Sequence, residues 1–403
     1  MTTVHEQGDA SDRPGDGFGL FDEEFTRDPH GMFDAIRSAA CPAAHSDALG
    51  GAWMPVTFED VRMVARSPDR FSSRTSEITG PTVPASGGGL LIPPITSDPP
   101  MHKPHRDVLM PYFTPAPVKA QEAFVRDDAR RLATGLAMRG EGELVREFAQ
   151  EVTVATLARL LAVPFELRET FIDWTVRMFR VGPLDHQHRA ETVREILDFF
   201  EGLLAERRAR PGDDLLSHIA TVQSEGLTHK DRLGTAFVIV LAGADTTWSA
   251  IAASLWHLGH RVDDRDRLVA EPDLMDTAVE ELLRYYAPVT VVRTATGPTE
   301  LCRRQVAGGD RVIAPFGAAN RDPEVFPDPH AVRLDRRRNK HLAFGTGAHR
   351  CIGASLARME MKVALQEWLA VMPRFEVLQP DDVTWTGGAV RGPESVPFRA
   401  GPV

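Results

Sequence analysis

A stretch of twenty largely apolar residues, Phe237–Trp256, constrains the fold of this 403-residue chain more than any other segment. As a helix it would be long enough to cross a bilayer. Asp245, Thr246 and Thr247 lie at its middle, however, and an acidic residue at the bilayer centre costs roughly 2.5 to 3.5 kcal/mol on insertion scales. We therefore predict a buried core helix from about Asp231 to His260, and no membrane span.

Composition narrows the class of protein. The chain is 42% hydrophobic, which allows a large core, and its net charge of −11 argues against a nucleic-acid partner, which would need clustered Lys and Arg. Three scattered cysteines are too few for a disulfide framework, so we predict a cytoplasmic protein. The polar start, Met1–Gly19, lacks the apolar core of a signal peptide and is predicted to be a flexible tail.

Hydrophobic periodicity predicts a mainly α fold with a minor β portion. Between Arg106 and Arg210 the apolar residues recur every three or four positions, as on one face of a helix. A short helix is predicted over Asp28–Ala39. Short strands are predicted over Leu301–Val306, Arg311–Ala314 and Phe375–Val377. We see no internal repeats, so we predict one domain spanning residues 1–403.

Cys351 lies in a glycine-rich run that leads directly into a predicted helix. Glycines let a loop approach a flat object closely, and a helix N-terminus stabilises an anionic sulfur, so we predict a low thiol pKa and metal ligation. The alternative, a buried cysteine acting as a small hydrophobe, is the prediction for Cys41 and Cys302. No second Cys or His stands at zinc-finger spacing from Cys351, and a lone axial thiolate suits haem iron better than zinc.

This run resembles the haem-binding loop of the cytochrome P450 superfamily. The family has Phe, Gly, a basic residue, Cys and Gly at the offsets of Phe344, Gly345, His349, Cys351 and Gly353. Three further motifs extend the resemblance from about residue 98 to the C-terminus. The resemblance implies an α-rich prism with small β-sheets, haem b as cofactor and Cys351 as the ligand of its iron.

The middle of the long apolar helix carries small residues and hydroxyls. The Thr246 hydroxyl can bond the carbonyl of Ala242, and Gly243 removes bulk, which together open a groove for a small molecule such as dioxygen. An isolated Asp-Thr pair would more often be two satisfied polar groups, but a buried carboxylate without a role is expensive. The resemblance implies that Ala242 lies against the haem, Thr246 hydrogen-bonds the dioxygen and Asp245 relays protons from solvent.

Two further motifs surround the expected cofactor. Glu281 and Arg284 resemble the family's buried pair that holds the haem loop, and we assign them a structural role. Either His330 or Arg333 is expected to complete that network, and the choice stays open. Buried propionates need cationic or donor partners. The resemblance implies His102, Arg106, Arg293 and His349 in that role, although each alone would more often be a solvated surface group.

Substrate and electron donor are predicted only by class. Candidate pocket walls, for which ordinary core packing is the alternative, are Leu90, Leu91, Ile92, Val238, Leu241, Val289, Val292 and Val390. Most are aliphatic, which predicts a hydrophobic small-molecule substrate. A charge run such as Arg336–Lys340 is more often an ordinary solvated face. We nevertheless predict that it docks an acidic ferredoxin or flavodoxin, because the chain has no flavin or iron–sulfur signature of its own.

The resemblance therefore implies a monooxygenase that inserts one atom of dioxygen into a C–H bond. A peroxygenase driven by hydrogen peroxide is the first alternative. That branch of the family typically lacks the acid and alcohol pair, so Asp245 and Thr246 argue against it. A haem-binding sensor without turnover is the second alternative.

Overall fold

The computed structural model describes residues 14–47, 51–74, 91–224 and 226–401. Helices dominate this part of the chain, as the periodicity predicts. Their bounds are α1 Glu23–Arg27, α2 Pro29–Ser38, α3 Phe58–Arg66, α4 His102–Phe113, α5 Pro115–Arg139, α6 Gln150–Leu160, α7 Arg168–Val176, α8 His186–Ala209, α9 Leu215–Thr221, α10 His229–His260, α11 Val262–Ala270, α12 Met275–Tyr286, α13 Phe316–Ala319 and α14 Ala354–Val371. Two π-helical turns, Val145–Ala149 and Arg177–Val181, adjoin α6 and α7.

The strands are short and form three small sheets. Their bounds are β1 Ala43–Ser46, β2 Ala52–Pro55, β3 Phe71–Ser72, β4 Glu141–Glu143, β5 Thr290–Ala295, β6 Thr299–Leu301, β7 Arg304–Val306, β8 Arg311–Pro315, β9 Phe375–Val377 and β10 Pro397–Ala400. The largest sheet has the order β1-β2-β8-β5-β3, and the others are β4-β10-β9 and β6-β7. The predicted fold class, mainly α with small sheets, is confirmed.

Helix α10 runs through the main hydrophobic core. It begins at a capping box in which Thr228 and Asp231 satisfy each other's backbone N–H groups, and it contacts α6, α8 and α14. By length and composition it is the one described helix that is able to cross a membrane. However, 83% of its most apolar stretch is buried inside the protein. The prediction of a core helix is confirmed.

Helix α14 begins at Ala354, three residues after Cys351, and packs along α5. This position, immediately before the start of a helix, is the one predicted for the cysteine. The α14 core face includes Val363 and Trp368, so the cysteine loop is fixed to a rigid, buried element.

Two predictions about the periphery are wrong. The segment predicted as one strand, Leu301–Val306, is a hairpin of β6 and β7, because Cys302 and Arg303 adopt positive φ angles of 50° and 62° and reverse the chain. The predicted tail does not reach Gly19. Phe18 is 3% exposed in a hydrophobic cluster, and its carbonyl accepts a hydrogen bond from Ser46 Oγ, so the chain is anchored there.

Candidate functional site

The cysteine loop is held in a tight, left-handed path by two glycines. Gly345 and Gly347 have φ angles of 66° and 75°, a region that favours glycine. A Cβ on Gly347 would also lie 3.2 Å from the Ala65 carbonyl oxygen. The Cys351 N–H donates to the Phe344 carbonyl at 2.8 Å and closes the loop. The glycines are therefore required by backbone conformation and by close contact with α3.

The surroundings of the Cys351 thiol act on its pKa in two opposite directions. Burial raises the pKa of the Cys351 thiol, while the Gly353 N–H and the charges of Arg106, Arg358 and Arg350 act in the opposite direction. In the polypeptide alone, desolvation therefore opposes the effect of the helix N-terminus, and the thiolate character of Cys351 stays a prediction. A metal ion bound to the sulfur would itself remove the proton.

Helix α10 is mostly buried, but it is open on one side at Ala242 and Gly243. Ala242 is exposed and Gly243 is half-buried, although Leu241, Ala244 and Asp245 next to them are buried. The Thr246 hydroxyl donates to the Ala242 carbonyl at 2.9 Å, as predicted. Small side chains and a hydroxyl thus line an opening in the core.

Asp245 is fully buried and paired with an arginine from another helix. Arg180 Nη2 donates to its Oδ1 at 2.7 Å and Arg180 Nη1 to its Oδ2 at 3.1 Å, and Ser249 Oγ lies 3.3 Å from Oδ1. Burial raises the pKa of Asp245, and Arg180 lowers it in part. Arg180 is 21% exposed, so the carboxylate reaches solvent through this ion pair.

Basic side chains gather near the cysteine loop. The rings of His102 and His349 meet edge to face at 4.4 Å, and His349 Nε2 lies 3.0 Å from Ser73 Oγ. His102 Nε2 is buried without a partner. Burial, with the charges of Arg293, His102 and Arg106, lowers the pKa of His349 to about 3. At neutral pH this ring is therefore uncharged and offers a hydrogen bond, which is one of the two roles expected of a propionate partner.

Arg293 is a buried cation with an incomplete set of partners. It is 5% exposed, and Nη1 donates to the Val292 carbonyl at 2.8 Å. In the part of the chain that the structure describes, no carboxylate lies within ion-pair distance of it. Burial lowers the pKa of Arg293 to about 10, which the Asp98 charge offsets only in part. Arg106 donates to the Arg350 carbonyl at 2.8 Å and so fixes the start of α4 to the cysteine loop.

The network around Glu281 differs from the prediction in its third member. Glu281 and Arg284 are both fully buried and paired at 2.8 Å, as predicted. Arg336 Nε donates to Glu281 Oε2 at 2.9 Å, whereas Arg333 supplies only its backbone N–H. The side chains of Arg333 and His330 pair instead with Asp328 and Asp34. Neither proposed candidate is the third charge, because the path of the chain after Pro329 turns Arg336 inward.

The inward position of Arg336 also corrects the predicted docking run. Its side chain is 7% exposed, so it is not available to a partner protein. Arg337, Arg338 and Lys340 are exposed. The remaining basic surface is therefore smaller than the sequence indicates.

The predicted pocket walls divide into open and closed positions. Leu91 is 49% exposed, and Ile92 and Val289 are half-buried. Leu90 lies outside the described residues. Closed positions, each at most 6% exposed, are Val238, Leu241, Val292 and Val390. Val292 packs in the hydrophobic cluster that contains Phe18, as the core-packing alternative predicts.

The sequence did not indicate the contacts that Arg180, Arg336 and Ser73 make in the site. Each acts on a residue far away in the chain, and no local spacing marks it. Asp98 also escaped assignment. It accepts the Ser73 N–H at 2.9 Å and so positions the serine beside His349.

The donor set fits a flat metal cofactor with acidic groups. No cluster of three or more His, Cys, Asp or Glu side chains suited to a metal ion occurs among the described residues, so Cys351 stands alone as a candidate ligand. The buried Arg293 and the unpaired Nε2 of His102 lack the anionic partners that buried donors require. Two propionates would supply them.

A family model described as Cytochrome P450 matches residues 170–386, more than half of the chain. The chain belongs to the cytochrome P450 family. It is 31% identical to cytochrome P450 monooxygenase PikC of Streptomyces venezuelae, over 98% of this chain and 96% of that protein. It is 33% identical to the 6-deoxyerythronolide B hydroxylase of Saccharopolyspora erythraea, over 75% and 77%.

Solved P450 structures have the same fold. The structure of CYP101J2 superimposes with a TM-score of 0.87 at 26% identity, covering 99% of this chain and all of that one. P450 proteins bind haem b through a cysteine thiolate, so this chain is a haem-binding oxidoreductase.

Proposed function

We propose that this P450 inserts one atom of dioxygen into a C–H bond of a hydrophobic small molecule. The observation that carries the proposal is the opening along α10 at Ala242 and Thr246, next to the buried Asp245–Arg180 pair. A binding space for a small oxidant and a buried acid beside it are what oxygen activation requires. Haem, when bound, supplies the centre at which dioxygen is reduced and split.

The chain's own residues have separate tasks. Cys351 supplies the sulfur ligand, and Arg293, His102, Arg106 and His349 bind the propionates and fix the plane of the cofactor.

Thr246 and Asp245 hold and move protons. The Thr246 hydroxyl donates to the Ala242 carbonyl. The hydroxyl oxygen of Thr246 is thus free to accept a hydrogen bond from a molecule bound in the opening. Asp245 has a raised pKa because it is buried, so it takes up a proton more readily than an exposed aspartate. Its partner Arg180 reaches solvent, and rotation of this ion pair would carry a proton inward.

The substrate is proposed to be an apolar natural product or catabolite. Leu91, Ile92 and Val289 are aliphatic and at least partly open. One relative is named polyketide biosynthesis cytochrome P450 PksS, of Bacillus subtilis, and another is named 6-deoxyerythronolide B hydroxylase. A screen of such compounds for haem spin-state shifts, followed by mass analysis of the product, identifies the substrate.

Electrons are proposed to come from a cytoplasmic ferredoxin or flavodoxin. Arg337, Arg338 and Lys340 form an exposed positive surface, and opposite charges steer the encounter of redox proteins. Arg337→Glu combined with Arg338→Glu should slow reduction by the partner, and more so at low ionic strength. Reduction by dithionite serves as the control and should not change.

The test of the proposal is Thr246→Ala in a system reconstituted with substrate and redox partner. The variant should consume electrons but release hydrogen peroxide in place of product. Thr247→Ala serves as the control, because the Thr247 side chain is buried. Unchanged coupling in Thr246→Ala would contradict the proton-delivery role. Turnover with hydrogen peroxide alone at the full rate would favour the peroxygenase alternative.

A further inference from the structure

A second group of charged side chains lies outside the haem site. It consists of His30 from α2, Tyr285 at the end of α12, Arg321 after α13, and Trp385 and Arg391 near the C-terminus. We call these five residues the basic–aromatic cluster. None of them belongs to the cysteine loop or to the propionate-binding set.

Arg321 is buried against an aromatic ring. It is 6% exposed, and its guanidinium carbon lies 3.7 Å from the centroid of the Tyr285 ring. Nη2 donates to the Tyr285 carbonyl at 2.9 Å. Its Nε is buried and has no hydrogen-bond partner. One edge of this guanidinium is therefore available.

Arg391 repeats the arrangement. Its guanidinium carbon lies 4.3 Å from the centroid of the Trp385 ring, and Nη2 donates to the Thr26 carbonyl at 3.0 Å. Its Nε is also buried without a partner. The neighbouring segment is fixed, because the Arg391 N–H donates to the Pro288 carbonyl at 2.7 Å.

His30 contributes a third unsatisfied nitrogen. Its Nδ1 is buried without a partner. Burial and the charges of Arg321, Arg391, His330 and Arg37 lower the pKa of His30 well below its ordinary value. The ring is therefore neutral at physiological pH and presents a donor or an acceptor according to its tautomer.

The positive charge of the cluster is not balanced by the carboxylates around it. Asp34 pairs with Arg37 and His330, and Asp28 accepts the Gly31 N–H at the start of α2. Over the described residues, neither arginine of the cluster has a carboxylate within ion-pair distance. Burial and the charge of Arg321 lower the pKa of Arg391 to about 9. Two buried guanidinium groups without a counter-charge are unfavourable.

We propose that the basic–aromatic cluster binds a small oxyanion, such as phosphate, between the free edges of Arg321 and Arg391 and the ring of His30. An arginine edge of Nε and Nη matches two oxygens of an oxyanion, and the stacked rings hold each guanidinium in place. His30, Trp385 and Arg391 are half-buried, so the cluster borders the surface.

The test uses the haem-loaded protein and inorganic phosphate. Isothermal titration calorimetry at constant ionic strength should show saturable binding of phosphate. Titrations with acetate, a planar oxyanion, and with chloride, a halide, give the comparison. Arg391→Gln should weaken phosphate binding at least tenfold. Arg399→Gln is the matched control, because Arg399 lies in β10, is 58% exposed and does not belong to the cluster. This variant should bind phosphate as the wild type does.

Two outcomes overturn the proposal. One is the absence of saturable phosphate binding to the wild type, in which case water satisfies the three nitrogens. The other is binding that Arg391→Gln leaves unchanged. If Arg391→Gln does not fold, Arg391→Lys keeps the charge but not the two-nitrogen edge, and phosphate affinity should still fall at least tenfold.

Discussion

Replacing Arg336 with alanine tests which basic side chain completes the network around Glu281. Arg336 Nε lies 2.9 Å from Glu281 Oε2, and the two side chains are 7% and 0% exposed. Hydrogen bonds to charged groups contribute about 1.5 to 3 kcal/mol, and breaking a buried ion pair costs about 3 to 5 kcal/mol. Glu281 would keep Arg284 as a partner, so we expect the free energy of unfolding to fall by about 3 kcal/mol, at the lower end of the second range.

Two matched variants give the comparison. Arg333→Ala and His330→Ala remove side chains that are 50% and 51% exposed and pair with Asp328 and Asp34. Exposed pairs contribute about 0.2 to 1 kcal/mol, so each variant should lose less than about 1 kcal/mol. The three substitutions thus separate a buried charge from its two neighbours along the same segment.

The assay is guanidinium unfolding of the wild type and the three variants at equal haem occupancy, followed by circular dichroism. The midpoint should move strongly only for Arg336→Ala, with the slope unchanged. The haem of that variant should also dissociate faster, because the network supports the cysteine loop. A loss for Arg336→Ala equal to that of the two controls, or a larger loss for Arg333→Ala, would refute the assignment.

Three further predictions concern single charges. Arg180→Ala removes the partner of the buried Asp245 carboxylate, so the pKa of Asp245 should rise further and the acidic limb of the pH profile of coupled turnover should move to higher pH. If the acidic limb of the pH profile, measured as product formed per electron pair, does not move, the pairing is contradicted. Arg293→Met should increase the rate of haem transfer to apomyoglobin at least tenfold. The haem-free form of the variant should not be less stable than that of the wild type, because the substitution removes a buried charge. An unchanged rate of haem transfer would argue against a contact between Arg293 and a propionate. Burial raises the pKa of Glu360 from 4.5 to about 8. Between these two pH values the folded state keeps a proton that the unfolded state loses. The free energy of unfolding therefore falls as the pH rises through this range, by at most about 5 kcal/mol. Glu360→Gln should flatten this slope in unfolding measurements at pH 5 and pH 8, whereas Glu376→Gln, at an exposed position, should keep it.

Features set by local spacing were predictable from the sequence. The Thr246 hydroxyl bonds the carbonyl four residues earlier, and Glu281 pairs with Arg284 three residues later, because both partners lie on one face of the same helix. The position of Cys351 before α14 follows from the glycine-rich run in the same way. Such contacts need no knowledge of the tertiary fold.

Features set by the path of the chain were not predictable. Arg180 reaches Asp245 from a different helix, and Arg336 reaches Glu281 only because the intervening loop turns inward. The pKa of Cys351 shows the same limit. Its sequence neighbours favour a thiolate, yet burial by distant elements dominates and raises the pKa.

The carbon monoxide difference spectrum of the reduced protein tests directly whether Cys351 is the haem ligand. We expect the red-shifted Soret band of a thiolate-ligated haem for the wild type and for Cys41→Ser, and its loss in Cys351→Ser. A red-shifted band that survives in Cys351→Ser, or an unshifted band in the wild type, would contradict the assignment of Cys351 as the haem ligand.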